Sequence, residues 1–191
     1  MILFINSCVR EDSRTKRLAD EVINKLKKDV DSHGADIVSE VRLWEQNFPV
    51  VDEDYLKKRD SLISDGKFDD PMFALARRFA EADEIVIAAP FWDLSFPAVL
   101  KQYIELINVV GVTFIYTEEG FPKGLCKAKK LTYVTTAGGE YFPEEFGYGY
   151  IKALAQNFYG ISDVELIKAT GLDIVGSDVE GIISAAIKQI T

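Results

Sequence analysis

At 191 residues, with 48% hydrophobic and 28% charged side chains, the chain is long enough to bury a sizeable core and too apolar for intrinsic disorder. Its formal charge of −9 argues against nucleic acid or an anionic membrane surface as a partner, since both kinds of binding rest on clustered Lys and Arg. Two cysteines, Cys8 and Cys126, form no C-x-x-C pair and exclude a disulfide-built secreted scaffold; reduced thiols in a cytoplasmic protein are the expectation.

The apolar opening "MILFIN" turns charged at Arg10, so it is too short for the centre of a signal peptide, and no later run approaches a membrane span. It reads instead as a buried strand over residues 2–6. Leu18, Val22, Leu26 and Val30 then recur every four residues with Ile23 beside them, which predicts a helix stopped at Gly34. "ADIVSEVRLW" predicts a second strand. Residues 45–71 carry Pro49, Gly66 and many charges and read as a surface excursion with a short helix over 55–63.

"MFALARRFAEAD" predicts a helix, and "EIVIAAP" an apolar strand covered on both faces. Next come the helix "PAVLKQYIELINVV", an irregular insertion "GVTFIYTEEGFPKGLCKAK", the strand "KLTYVTTAGG" and the helix "YIKALAQNFYG". The strand "DVELIKATG" and the helix "VEGIISAAIKQI" close the chain. This alternation predicts a single domain over residues 1–191, of three-layer α/β/α architecture around a parallel sheet of five strands.

In such a sheet ligands bind beyond the carboxyl ends of the strands, where strand order reverses. Three loops fall there. Residues 7–15 offer hydroxyls at Ser7, Ser13 and Thr15 and the free amides that open a helix, a favourable setting for an anion; the plainer reading is that Ser13 only caps the helix. "APFWDLSFP" offers an aromatic wall, although core packing claims most such rings, Phe96 among them. "TTAGGEYF" has paired glycines that let backbone amides approach a ligand closely. Together they suit a flat aromatic cofactor with a terminal phosphate.

The first loop also has the spacing C-x5-R-[ST], with Cys8 and Arg14 in the places of a phosphatase's nucleophile and anion-binding arginine. Glu11 and Asp12 within the loop oppose that chemistry. The only Asp-Pro pair, Asp70-Pro71, lies ahead of the third strand and not after a strand end. The plainer reading of Cys8 is a core side chain. His33, the single histidine, reads as a residue at a helix end, and no metal-hydrolase or serine-hydrolase motif appears.

Through nearly its whole length the sequence resembles the FMN-dependent NADH:quinone oxidoreductases known as azoreductases, which have a flavodoxin-like fold. The likeness rests on "SCVREDSRTKRL", on "APFWDLSFPAVLKQYIELINVVGVTFIYTEEGFPKGL" and on "VTTAGG". The resemblance implies FMN, with its phosphate on Ser7, Ser13, Arg14 and Thr15. Its ring would lie between Pro90, Phe91, Trp92, Asp93 and Leu94 on one side and Thr136, Ala137, Gly138 and Gly139 on the other.

It further implies a homodimer with flavin at the interface, Tyr116 and Phe121 near the substrate, and NADH or NADPH as co-substrate. Reduction of quinones, azo or nitro compounds would proceed in a ping-pong cycle, with the chemistry at flavin N5 and no catalytic side chain. Two positions depart from the family pattern: Asp93 stands where Asn is usual, and Ala137 where Arg is frequent. A flavodoxin-type electron carrier is the rival reading, against which the phosphate loop lacks the carrier's Thr-rich pattern.

Overall fold

The computed structural model describes residues 1–29 and 37–190. In chain order the elements are β1 (Ile2–Asn6), α1 (Arg14–Asp29), β2 (Val38–Arg42), α2 (Glu53–Ser64), α3 (Ala74–Ala80), β3 (Glu84–Ala88) and α4 (Ala98–Ile107). Then follow β4 (Phe114–Tyr116), β5 (Pro122–Gly124), β6 (Lys130–Thr136), α5 (Tyr148–Leu154), β7 (Asp163–Ala169) and α6 (Val179–Lys188). Val30, His33 and Gly34, read above as the end of the first helix, lie outside the described residues.

Five strands pair in parallel in the order β2-β1-β3-β6-β7. The chain leaves β1 toward β2 on one side and later returns to β3 on the other, so strand order reverses between β1 and β3 and a crevice opens at their carboxyl ends. Alternate side chains serve opposite layers. Ile2 and Phe4, with Val86, Ala88, Val134 and Ile167, pack against Leu18, Ala19, Val22 and Ile23 of α1 and Ile183 of α6. Leu3 and Ile5, with Ile85, Ile87, Leu131 and Tyr133, pack against Phe79, Leu100, Tyr103 and Ile151 on the other face. The result is the three-layer α/β/α arrangement.

The excursion over residues 45–71 holds α2, capped by Asp52, whose carboxylate accepts from the Tyr55 amide at 2.9 Å; the helix buries no side chain completely. The insertion after α4 differs from its irregular reading, because β4 and β5 form an antiparallel hairpin there. Strands of three residues are too short to show alternation in sequence. The hairpin is seated by contact instead: a Cβ on Gly124 would lie 2.1 Å from the Tyr159 carbonyl carbon, so only glycine permits this approach to the turn that follows α5. No helix among the described residues is long and apolar enough to cross a membrane.

Tyr103 is buried against the sheet, and its hydroxyl has no hydrogen-bond partner among the described residues; burial pushes its phenol pKa up. Tyr103→Phe removes a desolvated polar group at almost constant shape. It should raise stability by about 1 kcal/mol in urea denaturation, and a loss of similar size would contradict this account of the core.

Candidate functional site

A cleft of about 290 Å³ opens at the carboxyl ends of β1, β3, β6 and β7. Of the residues singled out in the sequence, Ser13, Arg14, Thr15, Pro90, Phe91, Trp92, Thr136, Ala137 and Gly138 line it together. Cys8, Val9, Arg10, Asp12, Leu172 and Asp173 line it as well. The last two lie on the loop after β7, a strand end outside the three loops named from the sequence. The fifth, β7, carries the same signal: a glycine-bearing loop, "TGLDIVG", directly after an apolar strand.

The start of α1 forms one wall. Ser13 Oγ accepts from the Lys16 amide at 3.2 Å and the Ser13 carbonyl from the Arg17 amide at 3.0 Å, so Ser13 is the helix cap of the plainer reading. The amides of Arg14 and Thr15 have no partner among the described residues, as the first turn of a helix dictates. The helix is pinned to the sheet by Thr15 and Thr136, whose hydroxyl oxygens are 2.6 Å apart. Asn6, fully buried, sets the loop from the other end: its Oδ1 accepts from the Cys8 amide at 2.9 Å, and its Nδ2 donates to Glu40 at 2.8 Å.

Arg14 faces the loop after β7. Its Nη1 donates to Asp173 Oδ1 at 2.7 Å and to the Leu172 carbonyl at 3.3 Å. Asp173 rests on the glycine wall: its amide donates to the Gly138 carbonyl at 2.9 Å, and a Cβ on Gly138 would lie 2.3 Å from its Oδ2. The Phe91 amide donates to the Thr136 carbonyl at 3.1 Å, and the ring of Phe91 packs 4.7 Å from that of Phe142, which fixes the aromatic wall.

Trp92 and Ser95 exchange backbone hydrogen bonds at 3.2 and 2.7 Å around a tight turn. Its central residues, Asp93 and Leu94, have φ of +50° and +67°, a conformation that ordinarily calls for glycine or asparagine. Both are exposed and outside the lining of the cleft, as is Gly139. Ser7 is turned away: its hydroxyl and its amide both donate to the Ala88 carbonyl, at 2.8 and 2.9 Å, and it is fully buried. Tyr116 and Phe121 stand exposed on the β4–β5 hairpin, apart from the cleft of their own chain. Phe96 packs against the core, as expected, with its ring tilted against that of Tyr150 at 5.9 Å.

The surroundings of Cys8 disfavour phosphatase chemistry. Burial pushes its thiol up to about 11, against smaller opposing effects of Ser13 and Lys16, so it stays protonated at neutral pH. The Asp70 carboxylate does not line the cleft; it caps the turn before α3 by accepting from the Met72 amide at 2.9 Å. Because the folded pKa lies above that of a free thiol, any stability linked to Cys8 is whole below about pH 9 and is lost as pH rises toward 11. Iodoacetamide should therefore leave Cys8 of the folded protein unmodified at pH 8 by intact mass; rapid alkylation there would contradict the buried thiol.

Comparison with known proteins agrees with this geometry. The profile of a family described by its flavodoxin-like fold matches residues 1–191. The chain is 39% identical over 184 residues to the FMN-dependent NADH:quinone oxidoreductase of Coprothermobacter proteolyticus, covering 94% of this chain and 89% of that one. It is 37% identical to FMN-dependent NADH:quinone oxidoreductase 2 of Clostridium acetobutylicum, covering 98% and 94%. Among solved structures, an azoreductase from Bacillus anthracis str. Sterne superposes with a TM-score of 0.83 at 27% identity, covering 99% of this chain and 95% of that one. The chain therefore belongs to the flavodoxin-like family that contains the FMN-dependent NADH:quinone oxidoreductases.

Proposed function

We propose that the chain is an FMN-dependent NAD(P)H oxidoreductase that reduces quinones and also azo or nitro compounds, working as a single-domain protomer of a cytoplasmic homodimer. One observation carries the reading: at the point where strand order reverses, unpaired amides of α1 and the guanidinium of Arg14 line a cleft that Gly138, with no side chain of its own, borders opposite. The donor set fits a terminal phosphate, and a cleft lined by both an aromatic and a glycine-bearing loop suits a flat ring. The printed names of the relatives, NADH:quinone oxidoreductase and azoreductase, agree with it.

In this reading Ser13, Arg14 and Thr15 hold the phosphate, and Arg10 adds a second cation to the rim. Pro90, Phe91 and Trp92 border one side of the ring; Thr136, Ala137 and Gly138 border the other. Asp93, Leu94 and Gly139 reach the cofactor only from beyond the rim, and Ser7 supports the loop from behind by its bonds to Ala88. FMN, when bound, supplies a two-electron carrier that accepts from a nicotinamide and donates to an acceptor. The chain supplies orientation, a stacking surface and exclusion of water. Dimerisation gives Tyr116 and Phe121, 54% and 69% exposed, a partner surface near the substrate side of a second cleft.

The purified protein should be yellow, be bleached by NADH, and recover its colour when a quinone is added, with no partner reductase present. A protein that takes no electrons from NADH but exchanges them with a separate reductase would be a carrier instead. Ser13→Asp preserves a good helix cap while setting a carboxylate against the phosphate. It should weaken FMN binding by at least about tenfold in fluorescence titration with little change in stability, and unchanged flavin retention would overturn the placement of the cradle.

A further inference from the structure

We infer that Glu40, a residue of the edge strand β2 that does not line the cleft, is a positioning residue for the phosphate loop and acts on it through Asn6; this rests on the FMN reading above. Asn6 ends β1 and is fully buried, so each end of its side-chain amide needs a partner. The Oδ1 accepts from the Cys8 amide at 2.9 Å, and the Nδ2 donates to Glu40 Oε1 at 2.8 Å. Only one orientation of the side chain satisfies both, because a backbone N–H can only donate and a carboxylate can only accept. Glu40 thus decides which way Asn6 points.

Glu40 is itself held from two sides. Its Oε2 accepts from Arg42 Nε at 3.2 Å, and its backbone carbonyl accepts from Arg78 Nη2 at 3.0 Å. In the parallel ladder Glu40 stands opposite Phe4, and its side chain reaches diagonally to Asn6, a span that needs a long side chain. On the far side of Asn6 the chain turns into the cleft: Cys8, Val9, Arg10 and Asp12 line it before α1 begins at Arg14. Without the Glu40 carboxylate the buried Nδ2 loses its acceptor, and the side-chain amide of Asn6 is free to turn away from Cys8. The charge of Glu40 has the wrong sign to attract a phosphate, so what it contributes to the cradle is geometry.

The test is a fluorescence titration of flavin-free protein with FMN and with riboflavin. Riboflavin has the same ring and ribityl chain but no phosphate, so the ratio of the two affinities reads the cradle and not general loosening of the fold. Glu40→Gln keeps the length and an oxygen that accepts from Asn6 while losing the charge; Glu40→Ala and Glu40→Thr cannot reach Asn6. The Glu40 side chain is 27% exposed at a sheet edge, so all three variants should fold. The parent should prefer FMN. That preference should fall about tenfold in Glu40→Ala and Glu40→Thr and stay within about twofold of the parent's in Glu40→Gln. A preference within about twofold of the parent's in all three variants, or an equal fall in all three, overturns the role of Glu40 while leaving the FMN reading intact. A parent that binds riboflavin as tightly as FMN ends both the inference and the reading on which it rests.

Discussion

The site depends on where α1 begins and on what holds it there. A helix start carries unpaired amides wherever it occurs, but it becomes a binding wall only if the rest of the fold fixes it beside other walls. Here the hydroxyl pair of Thr15 and Thr136, 2.6 Å apart, sets the first turn against the end of β6. Arg14 ties the same turn to the loop after β7, and Asn6 fixes the connection from β1. Below that turn, Leu18, Ala19, Val22 and Ile23 lie buried on the sheet, so hydrophobic packing anchors the helix and the polar contacts decide its register.

The same arrangement explains why the cleft is suited to holding a cofactor and not to nucleophilic attack by its own cysteine. Cys8 lies two residues past the end of β1 and packs in the layer between sheet and α1, where burial pushes its thiol pKa up. The opposite rim is under conformational tension. Asp93 and Leu94 both take the left-handed region without being glycine, and the turn is closed by the two bonds between Trp92 and Ser95. Such a turn holds the neighbouring Trp92 in the lining of the cleft, where the residue remains 39% exposed.

The sheet was legible because its strands are buried on both faces: "ILFIN" and "EIVIAAP" leave no other economical reading, and the four-residue spacing of Leu18, Val22 and Leu26 identifies the helix between them. Most of the cleft was legible for the same reason, since strand ends locate its loops. What sequence could not supply was direction and long-range pairing. Ser7 and Ser13 look equivalent in the loop, yet one hydroxyl points back to Ala88 and the other caps α1. The pairing of Arg14 with Asp173 spans most of the chain and leaves no local pattern. The β4–β5 hairpin was hidden because its strands are too short to alternate and its seat is a backbone contact at Gly124.

A crystal structure of the protein grown with FMN tests the central claim most directly. The account predicts phosphate oxygens accepting from the amides of Arg14 and Thr15, with the ring between Phe91 and Trp92 on one side and Ala137 and Gly138 on the other. A flavin bound elsewhere, or a phosphate that leaves both amides without a partner, would contradict it.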